Sequence, residues 1–485
     1  MHLLEQIDLW AHLCPDRPAH ISGTQTLTYA ELRTHSDTVA AWLDAELGES
    51  RAPIAVHGHK ETEMLVAFLG AVKSGRPYVP IDISIPAQRV ERIIANAGAA
   101  VTLTPARVAE IIATPRTAPQ HLVQRDDPYY ILFTSGSTGE PKGVVITLGN
   151  LEHFLSWMQA EQNFQLQTET FLNQAPFSFD LSVMDLYLSL VTGGTLFSVT
   201  KDHVANLKRL YETFHVSQLT TWVSTPSFAQ MCLIERTFAE PMLPTLERFL
   251  FCGETLAPET ASQLLERFPR AEIWNTYGPT EATVATTSVR VDRPLLEKWS
   301  PLPVGRAMPG TQVVILDGQR QRVPEGERGE IVIAGANVSP GYLGRPDLTE
   351  RSFFQYEGAP AYRTGDWGRE RQSQIFFEGR MDSQVKVNGY RIELGDLEAN
   401  LRALPEIADA VVLPVLKQER IDALAAIVVL AVEKTGTDFE FTAKLKTRLA
   451  ERLPAYMVPR KFLYVDAFPM TANGKADRRK LAELL

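Results

Sequence analysis

Cysteine is scarce in this chain, and basic charge is in the minority. Three cysteines, Cys14, Cys232 and Cys252, lie far apart in 485 residues. So small, odd and scattered a set suggests neither a disulfide framework nor a zinc site. Lys and Arg number 48 against 58 Asp and Glu, a net charge of −10. That balance argues against general nucleic-acid binding, although local basic patches remain possible. No apolar run approaches the ~20 residues that cross a bilayer, and the opening MHLLEQIDLW lacks a basic segment followed by an apolar one. The chain is therefore expected in the cytoplasm, without membrane insertion and with no nucleic-acid partner. Repeats and low-complexity segments are absent as well. What remains, 45% hydrophobic and 22% charged, is an ordinary globular balance, and the length predicts two or more domains.

From Leu27 to about Leu343, short apolar runs such as ILF, TLFSV, TTWVS and RFLFC alternate with helix-like stretches and Gly/Pro turns. This alternation predicts βαβ units and parallel sheets, with functional loops at the carboxyl ends of strands. Between roughly Pro301 and Gly344 the strands shorten and the turns become Gly-rich, as in GEIVIAGANVSPGYLG, which fits a small antiparallel or barrel-like subdomain. After GRMD, Gly379 to Asp382, helix and strand patterns mix compactly over about 100 residues, enough for a small second domain.

The loop TSGSTGEPKG, Thr134 to Gly143, holds three Gly, four hydroxyl residues, one Pro and one Lys. Small residues let backbone N–H groups approach an anion, hydroxyls add donors, and Lys142 brings charge. The preceding DPYYILF reads as a buried strand. A Walker A loop is excluded because no Ser or Thr follows Lys142, and the glycines do not fit G-x-G-x-x-G. On its own the loop fits a phosphate cradle or a flexible linker. Six further stretches follow in order: FSFD (Phe177 to Asp180), NTYGPTE (Asn275 to Glu281), YRTGD (Tyr362 to Asp366), GRMDSQVKVNGYRIEL (Gly379 to Leu394), LPAYMVP (Leu453 to Pro459) and NGKADR (Asn473 to Arg478). Singly, each fits a turn or a helix start.

Together and in this order, these stretches resemble the motif series of the adenylate-forming superfamily of acyl-CoA synthetases, luciferases and peptide-synthetase adenylation domains. The resemblance runs from LTYAEL, Leu27 to Leu32, to NGKADR, covering nearly the whole chain. It implies an α/β fold. Residues 1–381 would form a large domain of two doubly wound α/β subdomains plus a small β-barrel subdomain, carrying the ATP and amino-acid sites. Residues 382–485 would form a small mobile α+β domain with its hinge near Asp382.

It also implies roles at matched positions. Lys475 bridges the reacting carboxylate and the α-phosphate, and Glu281 is a ligand for Mg2+. Thr134 and Ser135 contact the ATP phosphates. Tyr277 lies against adenine within the ATP-binding run Asn275, Thr276, Tyr277, Gly278, Pro279 and Thr280. Asp366 accepts from the ribose hydroxyls, and Phe377, Glu378, Gly379 and Arg380 line the nucleotide. These residue types suit the chemistry, because one anion attacks another and donors must offset the developing charge.

An amino-acid activator needs a carboxylate for the α-ammonium, and Asp180 matches that group; its plain alternative is a helix-capping Asp. PFSFDLSVMDLY, TTWVSTPSFAQMCL, RFLFCGETL and NTYGPTEATVA resemble, more narrowly, the D-alanine–D-alanyl carrier protein ligases of Gram-positive bacteria. That resemblance places Cys252 and Val284 around the alanine methyl. It implies D-alanine as substrate and, since NGKADRRKLAELL ends the sequence without a carrier motif, a phosphopantetheinylated D-alanyl carrier protein acting in trans. Arg478, Arg479 and Lys480 are candidate basic residues for that acidic partner. Another small amino acid, glycine or L-alanine, is the competing substrate reading.

Overall fold

The computed structural model describes residues 3–117, 122–136, 139–387, 389–417, 420–434, 436–470 and 476–485. The chain divides into two compact units: one of residues 1–82, 97–132 and 143–381, the other of 83–96, 133–142 and 382–485. The second unit thus draws in two segments from far upstream, which reading contiguously along the chain does not reveal.

Two mainly parallel sheets dominate the first unit. Nine strands run in the order Arg306–Ala307, Thr287–Arg290, Glu272–Tyr277, Arg248–Phe251, Thr221–Ser224, Thr170–Asn173, Thr195–Ser198, Pro18–Ser22 and Gln25–Thr28. They are parallel from Glu272–Tyr277 through Pro18–Ser22 and antiparallel at both ends. The short apolar runs fix this arrangement: TFLN, TLFS, TWVS and RFLF are buried at every position, as strands covered on both faces must be. Trp222 anchors one face, ringed by Phe214, Phe228, Phe238 and Phe249 at centroid distances of 5.2–5.7 Å. The other sheet orders Gly341–Tyr342, Lys142–Thr147, Pro128–Thr134, Tyr78–Asp82, Ile54–Gly58 and Val101–Leu103. Five antiparallel strands between Thr311 and Arg380 complete the first unit, and so extend well past the Gly-rich stretch that announces them.

Capping sets where helices begin. Thr28 and Glu31 form a reciprocal capping box for Tyr29–Leu47, satisfying two backbone donors that the helix cannot. Helix Leu181–Val191 is buried along its whole length, which fixes the position of Asp180 just before it.

Lys60 ties the elements that lead to this helix. It is 1% exposed, and its Nζ donates to the carbonyls of Asn173, Gln174 and Val199 at 2.8, 2.8 and 2.9 Å. Three N–H bonds thus satisfy carbonyls at the carboxyl ends of two adjacent strands, immediately before the segment carrying Asp180.

In the second unit, the hairpin Gln384–Val387/Tyr390–Glu393 precedes helix Leu394–Arg402 and a three-stranded sheet of Ile407–Lys417, Arg420–Leu430 and Lys461–Tyr464. Much of LPAYMVP serves its core: Leu453 and Met457 are buried, and Tyr456 stacks on Tyr390 with ring centroids 3.7 Å apart. Buried Arg89 reaches Asp396 with two N–H groups at 3.1 Å, and Asn400 donates to the other carboxylate oxygen at 2.9 Å. Among the described residues, no helix is long and apolar enough to cross a membrane.

Replacing Lys60 with Met keeps the stem but removes the Lys60 donor from three carbonyls, of which Asn173 retains the Val199 N–H at 3.0 Å. The expected loss of stability is ~2–4 kcal/mol, the scale for buried acceptors left unpaired. All seven tryptophans lie at or before Trp367, so urea unfolding followed by tryptophan fluorescence reads this unit; a Lys60→Met midpoint equal to wild type would remove the tie.

Candidate functional site

At the carboxyl end of strand Glu272–Tyr277 the chain folds back sharply through residues 278–286. Gly278 has no space for a side chain: a Cβ there would lie 2.6 Å from the Ala285 Cα. The Thr286 N–H returns to the Tyr277 carbonyl at 2.8 Å, closing the loop. Glu281 sits inside it on a short 3₁₀ turn, Thr280–Ala282, fully buried. One of its carboxylate oxygens accepts from the Tyr342 hydroxyl at 2.8 Å, and its backbone carbonyl accepts from the Ser339 N–H at 2.9 Å.

Thr280, the preceding residue, donates its hydroxyl to Asp180 Oδ2 at 2.7 Å. Although Asp180 stands at the helix N-cap position, it has φ −60° and ψ −29°, and its side chain makes no capping bond. A capping Asp takes an extended backbone and accepts from the first turn, so the plain reading of Asp180 fails. Its carboxylate is directed to the loop carrying Glu281.

Cys252 and Val284 also meet. Both are buried, at 3% and 1% exposure, with the Cys252 Sγ 3.6 Å from the Val284 carbonyl. Thr283 and Val284 have φ of 57° and 69°, and the Ala285 N–H bonds the Thr283 carbonyl at 2.8 Å. This is a tight three-residue turn with a β-branched residue at its centre, strained by ~1–3 kcal/mol. A buried amide braces it. Asn337, 0% exposed, donates to the Ala282 carbonyl and to Thr286 Oγ1, both at 3.0 Å. Its own carbonyl accepts from Thr283 Oγ1 at 2.7 Å.

A second polar cluster joins Tyr277, Asp366 and Arg380. The Tyr277 hydroxyl donates to Asp366 Oδ2 at 2.5 Å, and Arg380 donates to Asp366 Oδ1 at 2.7 Å and to the Thr364 carbonyl at 2.7 Å. Burial above all, and then the Asp366 carboxylate, hold the Tyr277 phenol well above its ordinary range, so it remains a donor at neutral pH. Phe377 lies 6.1 Å from the Tyr277 ring between centroids.

Other sequence-matched residues take supporting positions. Asn275 donates to the Pro303 carbonyl and Thr276 to the Phe251 carbonyl, each at 2.9 Å, so both side chains bind neighbouring backbone. Glu378 pairs with Arg369 and Arg328. Pro279 opens the 3₁₀ turn, and Gly379 stands with φ 99°.

Thr134, Ser135 and Asp382 belong to the second unit. The Thr134 hydroxyl is buried without a hydrogen-bond partner. Ser135 donates to the Arg391 carbonyl and accepts from the Glu393 N–H, both at 3.1 Å. Gly136 is required by its turn, since a Cβ would lie 2.3 Å from the Glu140 carbonyl oxygen. Asp382 is exposed and accepts from the Gln384 N–H at 3.0 Å. Lys475 lies outside the described residues. Arg478 is engaged by Glu398 at 2.5 Å, whereas Arg479 and Lys480 are exposed.

Among the described residues, no group of three or more His, Cys, Asp or Glu side chains is arranged to hold a metal ion. Glu281 offers a single hard carboxylate donor, a residue type that would fit Mg2+, which commonly uses one or two carboxylates and completes its shell with phosphates and water.

Sequence reasoning missed Tyr342, Asn337, Ser339 and Thr364. Tyr342 and Asn337 lie some sixty residues from the loop they hold, within a stretch whose only local signal was a Gly-rich turn.

Comparison with known proteins matches residues 7–343 to the AMP-binding enzyme family and 396–475 to the AMP-binding enzyme C-terminal domain. The chain is 48% identical over 499 residues to the D-alanine--D-alanyl carrier protein ligase of Bacillus anthracis (strain CDC 684 / NRRL 3495), with 99% of each covered. Its fold is similar to the Vibrio cholerae adenylation domain AlmE in complex with glycyl-adenosine-5'-phosphate, with TM-score 0.85, 22% identity, and 99% and 98% of the two chains covered. It is also similar to holo-PA1221, an NRPS protein containing adenylation and PCP domains, with TM-score 0.84, 27% identity, and 100% and 84% covered. With family models spanning most of its length and a near-complete match to such a ligase, the chain belongs to the AMP-binding enzymes, in the D-alanine–D-alanyl carrier protein ligase family.

Proposed function

We propose that this protein uses ATP to convert D-alanine to D-alanyl adenylate and then loads the D-alanyl group onto the phosphopantetheine thiol of a separate D-alanyl carrier protein. The reaction would take place in the cytoplasm and supply D-alanine for teichoic acids. The observation that carries this reading is the Thr280–Asp180 hydrogen bond at 2.7 Å. It gives a non-capping carboxylate, suited to an α-ammonium, a direct link to the loop of Glu281. The full-length likeness to ligases of that name supports the choice of acid and acceptor.

In the first step a carboxylate oxygen of D-alanine attacks the α-phosphorus of ATP. The new P–O bond forms as the bond to the bridging oxygen breaks, and pyrophosphate leaves. Asp180 holds the ammonium. Lys475 supplies positive charge between the carboxylate and the α-phosphate, where charge develops. Asp366 accepts one bond on each oxygen from Tyr277 and Arg380, and a carboxylate has about four acceptor positions, leaving capacity for both ribose hydroxyls. Phe377 and Tyr277 offer an aromatic surface to adenine. Thr134, with its hydroxyl buried and unpartnered, is a ready donor for a phosphate oxygen, with Ser135 beside it. Glu281 would hold Mg2+, which when bound supplies positive charge to the phosphates. In the second step the carrier's sulfur attacks the acyl carbon, the C–S bond replaces the bond to the phosphate oxygen, AMP leaves and the thiol proton passes to solvent. The basic Arg479 and Lys480 suit an acidic carrier. Residues 1–381 carry the ATP and amino-acid sites, while 382–485 deliver and withdraw Lys475 by rotation near Asp382.

Pyrophosphate exchange with a panel of D- and L-amino acids tests the substrate, and D-alanine is expected to give the highest specificity constant. Preference for glycine or L-alanine would overturn the assignment.

Lys475→Ala is expected to slow adenylate formation ~10²-fold or more, the scale of losing a preorganised donor, while supplied D-alanyl adenylate still reaches the carrier thiol. Asp382→Pro restricts the backbone at the proposed pivot and should separate the two half-reaction rates. Equal loss of both half-reactions in Lys475→Ala would contradict its role, and two unchanged rates in Asp382→Pro would contradict the pivot.

With the ammonium and carboxylate both held, the D and L enantiomers differ only in exchanging methyl and hydrogen, so discrimination requires an obstructing wall. Cys252→Ala should raise the specificity constant for L-alanine more than that for D-alanine, narrowing the preference by ~1–2 kcal/mol. Hydroxamate formation with both enantiomers reads this directly, and an unchanged D-to-L ratio in folded protein would return Cys252 to plain core.

A further inference from the structure

The strained turn at Thr283–Val284 cannot hold its shape through local bonding alone. A β-branched residue at positive φ is sterically disfavoured, and the three-residue turn closed by the Ala285 N–H on the Thr283 carbonyl is of the rare, strained kind. Much of the support comes from one side chain, beside a long bond from the Thr286 hydroxyl to the Ala282 carbonyl at 3.5 Å. Asn337 has both amide hydrogens committed to this loop, one to the Ala282 carbonyl just before the strained pair and one to Thr286 just after it. Its main-chain carbonyl takes the hydroxyl of Thr283 itself. The turn is thus gripped before, within and after the strain.

The grip is itself anchored. Thr311 donates to Asn337 Oδ1 at 2.9 Å, fixing which way the amide faces. Asn150 donates to the carbonyls on either side of Asn337, Ala336 at 2.7 Å and Val338 at 3.1 Å. Two buried asparagines therefore act in series, with Asn150 holding the backbone of residues 336–338 and Asn337 holding the turn. Val284, at the end of this chain of bonds, presents its carbonyl to the Cys252 sulfur.

We infer that Asn337 is a positioning residue for amino-acid selection: by holding Thr283–Val284 in a left-handed turn, it sets the wall that Val284 and Cys252 form around the substrate side chain. The inference rests on the proposed assignment of Cys252 and Val284 to that wall. Asn337 needs no contact with substrate, nucleotide or reacting atoms.

Asn337→Asp is the sharpest variant, since it keeps size and the acceptor facing Thr311 while replacing the amide's two donors. The readouts are KM for D-alanine, KM for ATP and the D-to-L ratio of specificity constants in pyrophosphate exchange. The expected result is an increase of about tenfold in KM for D-alanine with KM for ATP changed less than about twofold, and a D-to-L ratio several-fold lower, the scale of displacing one wall of a fitted site. Thr311→Val removes the bond that fixes which way the amide faces, and is expected to lower thermal stability and to shift the D-to-L ratio in the same direction by a smaller factor. Should Asn337→Asp fail to fold, Thr286→Val removes one of the two acceptors of the amide together with the long Thr286–Ala282 bond, and is expected to shift the ratio in the same direction by a smaller factor. Folded Asn337→Asp or Thr286→Val with an unchanged ratio, or with KM for D-alanine and ATP rising together, overturns the inference. Wild-type enzyme that prefers another amino acid would instead count against the substrate assignment, and the same ratios measured on that amino acid would still test the brace.

Discussion

The hydrogen bond from Thr280 to Asp180 joins two stretches one hundred residues apart, and the chemistry proposed here depends on it. Asp180 precedes a helix buried on every side, so its backbone cannot drift. Thr280 precedes Glu281 on a loop too tight to accept a side chain at Gly278. Linking them couples the carboxylate proposed for the amino acid to the carboxylate proposed for a metal–phosphate complex. Their separation is then a property of the packed fold, not of a flexible surface, and such preorganisation lets charged groups act without reorganising as the reaction proceeds.

The same rule governs Glu281 and Asp366: each is buried with a donor already in place. Glu281 has the Tyr342 hydroxyl, and Asp366 has Tyr277 and Arg380. Buried unpartnered carboxylates would be costly, and these partners also set the directions in which remaining lone pairs can point. Tyr277 serves twice, since its ring fills space beside Phe377 while its hydroxyl fixes Asp366. The loop that carries Glu281 leaves the carboxyl end of a parallel strand, the usual place for ligand sites in such sheets, whereas Asp366 lies within the antiparallel strand Ala359–Arg371.

Much of this was legible in the sequence because it is written locally. Short β-branched and aromatic runs gave the parallel strands, and the uncommon combination NTYGPTE marked a loop that leaves one of them, whereas YRTGD lies within the antiparallel strand Ala359–Arg371. Asp180 could be singled out, but only coordinates separate a capping carboxylate from one turned to Thr280. The braces were not legible. Asn337 and Tyr342 lie in a Gly-rich stretch with no periodicity of their own, and their meaning comes from partners some sixty residues earlier. Lys60 reads as an ordinary surface lysine until three strand-end carbonyls are found around its ammonium. The inclusion of residues 83–96 and 133–142 in the second unit is equally nonlocal, resting on pairs such as Arg89–Asp396. Arg478, attractive from sequence as a free basic residue, is paired with Glu398.

The central claim is that Asp180 recognises an ammonium, and replacing that group on the substrate tests it most directly. D-lactate differs from D-alanine in carrying a hydroxyl where the ammonium would be, while keeping the carboxylate, the methyl and the handedness. Pyrophosphate exchange should favour D-alanine over D-lactate by at least ~10²-fold in the wild-type enzyme, the scale of leaving a site's charged partner unpaired, and Asp180→Asn should collapse that preference to within a few-fold. A preference that survives intact in a folded Asp180→Asn enzyme would contradict the account.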